Sequence, residues 1–260
     1  MNKQIIFFDI DGTLLGRDGK IRSSTKEAIH ELRERGVYVA IATGRAPFMF
    51  ADIREELEIE TFVSFNGQYV VFENEVVYEK PLNQSALQEL VHFSNKQDHS
   101  LVYMTNTKMR ANQKNDDFVK QSLESLKFRY PKIDSEFYKN SSIYQTLLFC
   151  EENDEDQYIE MFPQFKFIRW HKYSTDVLPS GGSKAEGIEK IMKKLGTSRK
   201  NVYAVGDGLN DIEMLTAVGI GIAMGNAKDA VKKAADFVTD DVDHDGILKG
   251  LRHVGLLKQG

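Results

Sequence analysis

The 260-residue sequence predicts an α/β protein with a Rossmann-like, parallel-sheet core domain and an inserted α+β domain. Four apolar runs, each ending at a polar or glycine-rich turn, indicate the parallel sheet: QIIFFDIDGT, VYVAIATGR, NVYAVGDGLND and GIGIAMGN. Because Val, Ile and Phe follow one another in these runs without alternation, the runs are typical of strands buried on both faces. A helical stretch between the first two runs, and a change of pattern in the middle of the chain, complete the prediction.

The helical stretch is SSTKEAIHELRERG. Its Ser and Thr residues favour an N-terminal cap, and Ala28, Ile29 and Leu32 share one side. Gly36 suits the position that follows the last turn. A helix between two buried strands is a β–α–β unit, whose strands lie parallel. This segment therefore predicts a crossover helix on a parallel sheet.

The middle of the chain predicts a smaller, inserted domain. Helical stretches such as SALQELVHFSNKQ, NDDFVKQSLESL and EENDEDQYIEMF alternate with strand-like runs such as SLVYMTN, IYQTLLFC and FKFIRW. Some of these runs carry polar residues at alternate positions, as in a sheet with one open face. The flanking sequences EKPLN and LPSGGS have the proline and glycine content of hinges. We expect a core domain of residues 1–82 and 179–260 and an inserted domain of residues 83–178.

Composition excludes several classes of partner. The net charge of -5 and the pI near 5.8 argue against a nucleic-acid partner, because phosphate backbones need clustered Lys and Arg. One cysteine, Cys150, excludes an intrachain disulfide and favours a reducing compartment. The first apolar run is too short for a signal peptide, and no stretch approaches the roughly 20 apolar residues of a membrane span. We expect a cytoplasmic protein, and the sequence does not indicate an oligomeric state.

Polar residues gather where the predicted strands end, and in a parallel α/β sheet these ends meet at one ligand-binding edge. Asp9 and Asp11 are two positions apart in an extended chain, so both can address one point. Two carboxylates this close repel each other, and a cation between them would offset that repulsion. Together with Asp207 and Asp211 they offer the hard oxygen ligands that Mg²⁺ prefers. The residues at the strand ends are Asp9, Asp11, Thr13, Thr43, Gly44, Arg45, Asp207, Asn210 and Asp211.

A carboxylate held beside a metal ion can attack phosphorus and form an aspartyl-phosphate. Since both partners are anionic, a nearby cation is needed besides the metal. Lys184 suits that role, because the capping-box pattern of Ser183 and Glu186 places it at a helix start, where backbone N–H groups also favour anions. Thr43 could donate its hydroxyl to a phosphate oxygen. Arg45 could contact the substrate or pair with an acid.

Four motifs, in this order, resemble those of the haloacid dehalogenase (HAD) superfamily of phosphohydrolases: DIDGT at residues 9–13, Thr43 in ATGR, Lys184, and GDGLND at residues 206–211. They span nearly the whole chain. SFNG, with Asn66 and Gly67, and the insertion between the second and third motifs resemble the Cof-type branch, subfamily IIB, which carries a C2B cap domain.

The resemblance implies a role for each matching residue. Asp9 would be the nucleophile and a Mg²⁺ ligand. Asp11 would bind the metal through its backbone carbonyl, while its side chain would protonate the leaving oxygen and then activate water. Asp207 would bind Mg²⁺ directly, and Asp211 directly or through water. The phosphoryl group would be held by Thr43, Gly44, Lys184 and Asn210. An acid at Asp11, which dehalogenases of the superfamily lack, favours phosphoryl chemistry.

The sequence thus predicts a Mg²⁺-dependent phosphatase for a small phosphorylated metabolite such as a sugar phosphate, pyridoxal phosphate or flavin mononucleotide. The inserted cap would close over the site and set specificity. Polar and aromatic candidates for that contact are Tyr103, Asn106, Arg110, Trp170 and Tyr173. The alternatives are a phosphomutase of the same superfamily and a non-catalytic phosphate-binding regulatory protein.

Two other motifs resemble known binding sequences, but each has the wrong residue at one required position. VGDGLND begins like the dinucleotide fingerprint G-x-G-x-x-G, but Asp211 occupies the sixth position. DVDHDG at residues 241–246 matches the first half of an EF-hand loop, whose twelfth position should be Glu and is Arg252. We interpret the second motif as a solvated acidic loop.

Overall fold

The computed structural model describes residues 3–258. Its strands are β1 Ile5–Phe8, β2 Tyr38–Ala42, β3 Thr61–Ser64, β4 Tyr69–Phe72, β5 Glu75–Glu79, β6 Ser100–Met104, β7 Met109–Ala111, β8 Gln145–Phe149, β9 Phe165–His171, β10 Ser174–Pro179, β11 Val202–Gly206, β12 Ile220–Ala223 and β13 Phe237–Val238. Its α-helices are α1 Ser23–Glu34, α2 Ala51–Leu57, α3 Gln84–Lys96, α4 Asp117–Ser125, α5 Glu155–Met161, α6 Lys184–Leu195, α7 Ile212–Ala217, α8 Asp229–Ala234 and α9 Gly246–His253.

These elements form two compact units. The first contains the described residues up to Arg45, then Phe50–Glu79, then the described residues from Gly182 onward. The second contains Ala46–Met49 and Lys80–Gly181.

The first unit contains an eight-stranded sheet in the order β13-β12-β11-β1-β2-β3-β4-β5. The strands from β13 to β3 pair in parallel, whereas β4 and β5 are antiparallel. The predicted α/β fold with a parallel-sheet core is confirmed. Strands β3 and β13, and the antiparallel pair β4 and β5, extend the sheet beyond the four strands that the apolar runs predict.

Strand β1 lies inside this sheet, and both of its faces are buried. One face belongs to a core cluster with residues of the neighbouring strands and of helices α6 and α7, including Ile5, Phe7, Val63, Ile188 and Met214. On the other face, Ile6 and Phe8 are also fully buried. The chain therefore has no polar side chain in this strand, and its first carboxylate comes directly after it, at Asp9.

Helix α1 begins differently from the prediction. Arg22 occupies the N-cap position, and no side chain caps the helix there. The Ser24 hydroxyl instead donates to Asp245 Oδ1 at 2.5 Å, so a tertiary hydrogen bond replaces the predicted local cap. At the other end, Gly36 has a left-handed φ of 75°, as its predicted position requires.

The second unit contains a five-stranded sheet in the order β7-β6-β8-β10-β9, and all of its pairs are antiparallel. Its core cluster joins one face of the sheet to helices α3 and α5, with Leu87, Leu90, Tyr103, Leu148 and Tyr158 among its members. Cys150 is a buried member of this cluster, and burial raises the pKa of its thiol to about 11. Between residues 3 and 258, no helix is long and apolar enough to cross a membrane.

Candidate active site

The strand order of the first unit places three of the predicted motifs side by side. Strand β1 pairs with β11 on one side and β2 on the other, and Phe8 lies level with Val205 and Ile41. The polar residues that follow these strands therefore meet at one edge. Asp9 is held there by its own N–H, which donates to the Val205 carbonyl at 3.0 Å.

Gly12 allows the first and fourth motifs to approach each other. Its φ is +79°, and a Cβ at this position would lie 2.3 Å from Asp207 Oδ2. Any other residue would therefore displace the Asp207 carboxylate as well as adopt a strained backbone. The turn after β1 is shaped by this contact.

Lys184 connects two of the carboxylates. Its Nζ donates to Asp9 Oδ1 at 2.5 Å and to Asp211 Oδ1 at 2.6 Å, and the residue is only 1% exposed. Lys184 is the first residue of α6, and the Ser183 hydroxyl at the N-cap accepts a hydrogen bond from the Glu186 N–H. The predicted cap thus sets the position from which the ammonium group reaches Asp9.

Burial and charge act in opposite directions on Lys184. Burial alone would lower its pKa, but the carboxylates of Asp211 and Asp9 outweigh this effect and hold the pKa above its usual value. Lys184 is therefore charged in the folded protein. For Asp9, burial and then the charge of Asp211 raise the pKa above its usual value despite the nearby ammonium group.

The remaining hydrogen bonds distinguish the roles of Asp207 and Asp211. Asp211 Oδ1 accepts from Lys184, and its Oδ2 accepts from the N–H groups of Asp207 and Gly208 at 2.9 and 2.8 Å. These bonds use three of the roughly four acceptor positions of a carboxylate. Asp207 accepts from two side chains, at 2.8 Å from Thr13 Oγ1 and at 3.4 Å from Asn226 Nδ2.

Three carboxylates of this edge fit a divalent cation. Asp9, Asp207 and Asp211 each offer an oxygen, and these oxygens lie within 4.8 Å of one another. Burial, followed by the charge of Asp211, raises the pKa of Asp207 to about 6, although the Thr13 hydroxyl opposes this shift. The cluster therefore has more negative charge than Lys184 alone can balance. Hard oxygen donors in this arrangement suit Mg²⁺.

Asp11 and Arg45 form a bidentate ion pair. Arg45 Nε donates to Asp11 Oδ2 at 2.9 Å, and Arg45 Nη2 donates to Asp11 Oδ1 at 2.5 Å. The Asp11 side chain is 65% exposed, in contrast to the buried Asp9. Pairing with an acid, one of the two possibilities that the sequence left open for Arg45, is thus present in the structure.

The other predicted phosphate-binding residues lie around Asn66. The Thr43 hydroxyl oxygen accepts from the Arg45 N–H at 3.1 Å, which leaves the hydroxyl proton available for donation. Gly44 lies against Asn66, since a Cβ at Gly44 would be 3.0 Å from Asn66 Nδ2. The Asn66 side chain accepts from Asn210 Nδ2 at 3.1 Å. Asn66 therefore joins the second motif to the fourth.

Asn226 is a site residue that sequence reasoning missed. Its Nδ2 donates to the Gly12 carbonyl at 2.8 Å as well as to Asp207, and its Oδ1 accepts from the Val242 N–H at 3.0 Å. It follows β12, the fourth of the apolar runs, so its place after a parallel strand is the signal that could have found it.

The acidic loop at residues 241–246 is bound to basic side chains. Asp241 pairs with Arg17 at 3.0 Å, and Asp243 pairs with Arg22 at 2.5 Å. Asp241 Oδ1 also accepts from the Asp243 N–H at 2.9 Å. The acidic residues of this loop therefore bind arginine side chains, which accounts for them without an EF-hand.

Comparison with known proteins assigns the family. A family model of haloacid dehalogenase-like hydrolases matches residues 6–251. YkrA of Bacillus subtilis (strain 168) is 46% identical over 258 residues, which are 99% of this chain and 100% of YkrA. YcsE of the same organism, a 5-amino-6-(5-phospho-D-ribitylamino)uracil phosphatase, is 31% identical over 96% of this chain and 95% of YcsE. The solved structure of BT4131, a HAD subclass IIB sugar phosphatase, matches 98% of this chain and 100% of its own with 31% identity and a TM-score of 0.85.

The chain belongs to the haloacid dehalogenase-like hydrolases. Within that family it is a phosphatase that acts on phosphorylated substrates.

Proposed function

We propose that this protein is a Mg²⁺-dependent phosphatase that hydrolyses a small phosphorylated metabolite through an aspartyl-phosphate on Asp9. The observation that carries the proposal is the contact between Asp9 and Lys184 at the edge where Asp207 also lies. A buried carboxylate beside a charged ammonium group and a second carboxylate is suited to attack on an anionic phosphate.

Two steps follow from the chain's own residues. Asp9 attacks phosphorus, the bond from phosphorus to the leaving oxygen breaks, and Asp11 gives that oxygen a proton. Asp11 then removes a proton from water as the water attacks phosphorus, which releases phosphate and restores the Asp9 carboxylate. The exposed side chain of Asp11 suits this exchange, because it is open to the solvent with which it must exchange a proton.

Lys184 has two roles in this proposal. It restrains Asp9 through Oδ1, which would leave Oδ2 for attack on phosphorus, and it would balance charge that develops on the phosphoryl oxygens. The Thr43 hydroxyl, the Gly44 backbone N–H and the Asn210 amide would donate to the same oxygens.

Bound Mg²⁺ would supply a positive charge that offsets the repulsion between Asp9 and the phosphate. Asp9 and Asp207 would hold it directly, because their carboxylates keep acceptor capacity, and Asp11 would contribute its backbone carbonyl. Most of the acceptor positions of the Asp211 carboxylate are occupied by hydrogen bonds from Lys184 and two backbone N–H groups. Its hydrogen bonds thus favour contact with the metal through water.

The substrates of two relatives support a substrate class. One acts on a phosphoribityl compound and the other on a sugar phosphate, so each takes a phosphate ester on a polyhydroxylated carbon chain. We propose the same class for this chain. Incubation with a sugar monophosphate separates the phosphatase from a phosphomutase, because the phosphatase releases inorganic phosphate and the mutase yields an isomer.

The test uses p-nitrophenyl phosphate with the full chain. Asp9→Asn, which conserves shape, should abolish phosphate release while the circular dichroism spectrum stays unchanged, and excess chelator should stop the wild-type protein until Mg²⁺ is restored. Turnover that survives in Asp9→Asn would overturn the role of Asp9. Turnover that survives in chelator would overturn the role of Mg²⁺.

A further inference from the structure

The turn that follows strand β3 has an unusual backbone. Phe65, Asn66 and Gly67 have φ values of +50°, +51° and +101°, so three consecutive residues have a positive φ. Glycine adopts such a conformation freely and asparagine fairly often, but a bulky residue such as phenylalanine rarely does. Strained backbone of this kind persists only where surrounding contacts hold it, and it is concentrated at functional sites. The contacts of the Phe65–Gly67 turn therefore indicate its role.

Two backbone hydrogen bonds join the Phe65–Gly67 turn to the second motif. The Phe65 N–H donates to the Arg45 carbonyl at 3.2 Å, and the Asn66 N–H donates to the Thr43 carbonyl at 3.1 Å. The Thr43 carbonyl and the Gly44 N–H belong to one planar peptide group, so the bond from Asn66 also sets the direction of that N–H. Asn66 is thus anchored to the part of the second motif that would hold a phosphoryl group.

The Phe65–Gly67 turn also lies against the start of helix α6. A Cβ on Gly67 would collide with the Ser183 carbonyl, and a Cβ on Gly187 would lie 3.3 Å from the Gly67 Cα. Ser183 is the N-cap residue that precedes Lys184. The turn is therefore held between the second motif and the helix that carries the third, which fixes the position of Asn66.

The Asn66 side chain extends these contacts to the fourth motif. Its Oδ1 accepts from Asn210 Nδ2 at 3.1 Å. Asn66 is only 7% exposed, whereas Asn210 is an exposed residue. An amide nitrogen carries two N–H groups, so this bond leaves Asn210 one N–H to donate, in a direction that the buried Asn66 fixes. Without that acceptor the exposed Asn210 side chain could rotate, and its donor would lose this direction.

We propose that Asn66 is a positioning residue for the phosphoryl group, and that its side chain acts by orienting the Asn210 amide. This inference rests on the proposed phosphatase function, in which Asn210 donates to a phosphoryl oxygen. Asn66 acts through Asn210 and not by contact with the substrate. The left-handed backbone brings Asn66 within hydrogen-bond distance of the second and fourth motifs at once.

The test compares Asn66→Gly with Asn74→Gly in the full chain. Glycine keeps the left-handed backbone and the N–H of residue 66, so Asn66→Gly loses the bond to Asn210 without losing the turn. Asn74 is the matched control, because it is also a left-handed asparagine, with a φ of +64°, and its N–H donates to the Glu60 carbonyl at 3.1 Å. Its side chain is exposed in the turn between β4 and β5. Thermal denaturation should show one cooperative transition in both variants.

The readouts are turnover of p-nitrophenyl phosphate and the dissociation constant of orthovanadate, an anion that resembles a phosphoryl group, both with Mg²⁺. Loss of one oriented hydrogen bond should lower kcat/KM and weaken orthovanadate binding about three- to tenfold in Asn66→Gly, with no change in Asn74→Gly. A smaller folded fraction would lower kcat but leave the dissociation constant of orthovanadate unchanged, so the second readout separates positioning from stability. Because Asn66 acts through Asn210, Asn66→Gly should have little further effect in a protein that also carries Asn210→Ala.

Wild-type values of kcat/KM and of the orthovanadate dissociation constant in Asn66→Gly would overturn the inference and leave the proposed phosphatase function standing. Effects of Asn66→Gly and Asn210→Ala that multiply in the double variant would also overturn it, because residues that act independently are additive in free energy. A wild-type protein that binds orthovanadate but releases no phosphate would overturn the proposed function, and the dissociation constants would still decide the inference. A wild-type protein that binds no orthovanadate would overturn both.

Discussion

Replacement of Lys184 by Met tests the charge balance that holds the active-site edge together. Met has a similar length and no charge, so the change leaves two buried carboxylates, Asp9 and Asp211, without their shared cation. Lys194→Met is the matched control. It changes the same residue type in the same helix, but its partner is Glu75 at 3.3 Å and both side chains are exposed.

The magnitudes follow from burial. Removal of one partner of a buried ion pair costs about 3–5 kcal/mol in the free energy of unfolding, because the remaining charge is left in a poorly solvated site. The exposed pair of Lys194 contributes about 0–1 kcal/mol. Loss of the phosphoryl-binding cation should also lower kcat by on the order of 10²- to 10³-fold in Lys184→Met, with no change in Lys194→Met.

The assay is urea unfolding followed by far-ultraviolet circular dichroism, in chelator so that no added metal replaces the ammonium charge. Initial rates with p-nitrophenyl phosphate and Mg²⁺ give the second readout. If Lys184→Met unfolds within about 1 kcal/mol of Lys194→Met, the buried charges do not depend on Lys184 and the reasoning is refuted.

Three further predictions concern other groups. Arg45→Gln should lower kcat on the order of ten- to a hundredfold, because Asp11 loses the partner that orients its side chain. The free energy of unfolding should change by no more than about 1 kcal/mol, since the pair is partly exposed. An unchanged kcat would contradict this prediction. Asn226→Ala should raise the Mg²⁺ concentration for half-maximal activity about tenfold, because Asp207 loses a hydrogen bond, and an unchanged Mg²⁺ titration would contradict it. Burial raises the pKa of Asp176 from 3.8 to about 7. The folded state therefore binds this proton more tightly than the unfolded state, and the stability it gives is present below pH 3.8 and lost as the pH rises through 7. In the wild type, this group lowers the free energy of unfolding by up to about 1.4 kcal/mol per pH unit, and Asp176→Asn should remove that dependence. Urea unfolding between pH 5 and pH 7 measures it, and equal slopes of unfolding free energy against pH in variant and wild type would refute the prediction.

The sequence predicted the parallel strands β1, β2, β11 and β12, because each is an apolar run that local pattern alone defines, but it did not predict the parallel strands β3 and β13. It did not predict the antiparallel pair β4 and β5, whose apolar residues are divided by the turn at Glu73 and Asn74. The cap of α1 was predicted wrongly because Ser24 bonds Asp245, a residue far along the chain. A tertiary partner of that kind leaves no mark on the local pattern.

The candidate site shows the same division. The order of the four motifs and the strand ends predicted that Asp9, Asp207 and Asp211 gather, and the cap of α6 predicted where Lys184 begins its helix. The side chain of Asp11, which the sequence placed at the same point, pairs with Arg45 instead. The sequence could not predict that Arg45 pairs with Asp11 or that Asn226 holds Gly12 and Asp207. Those contacts depend on side-chain direction across neighbouring strands, which spacing along the chain does not specify.

Direct detection of phosphate on Asp9 is the measurement closest to the central claim. Asp11→Asn lacks the group proposed to activate water, and p-nitrophenyl phosphate has a leaving group that needs little protonation, so the phosphorylated protein should accumulate after acid quenching. Mass spectrometry of the peptide that contains Asp9 should then show one added phosphoryl group, which hydroxylamine removes and which Asp9→Asn never acquires. A phosphoryl group on another residue, or hydrolysis without any phosphorylated protein, would contradict the account.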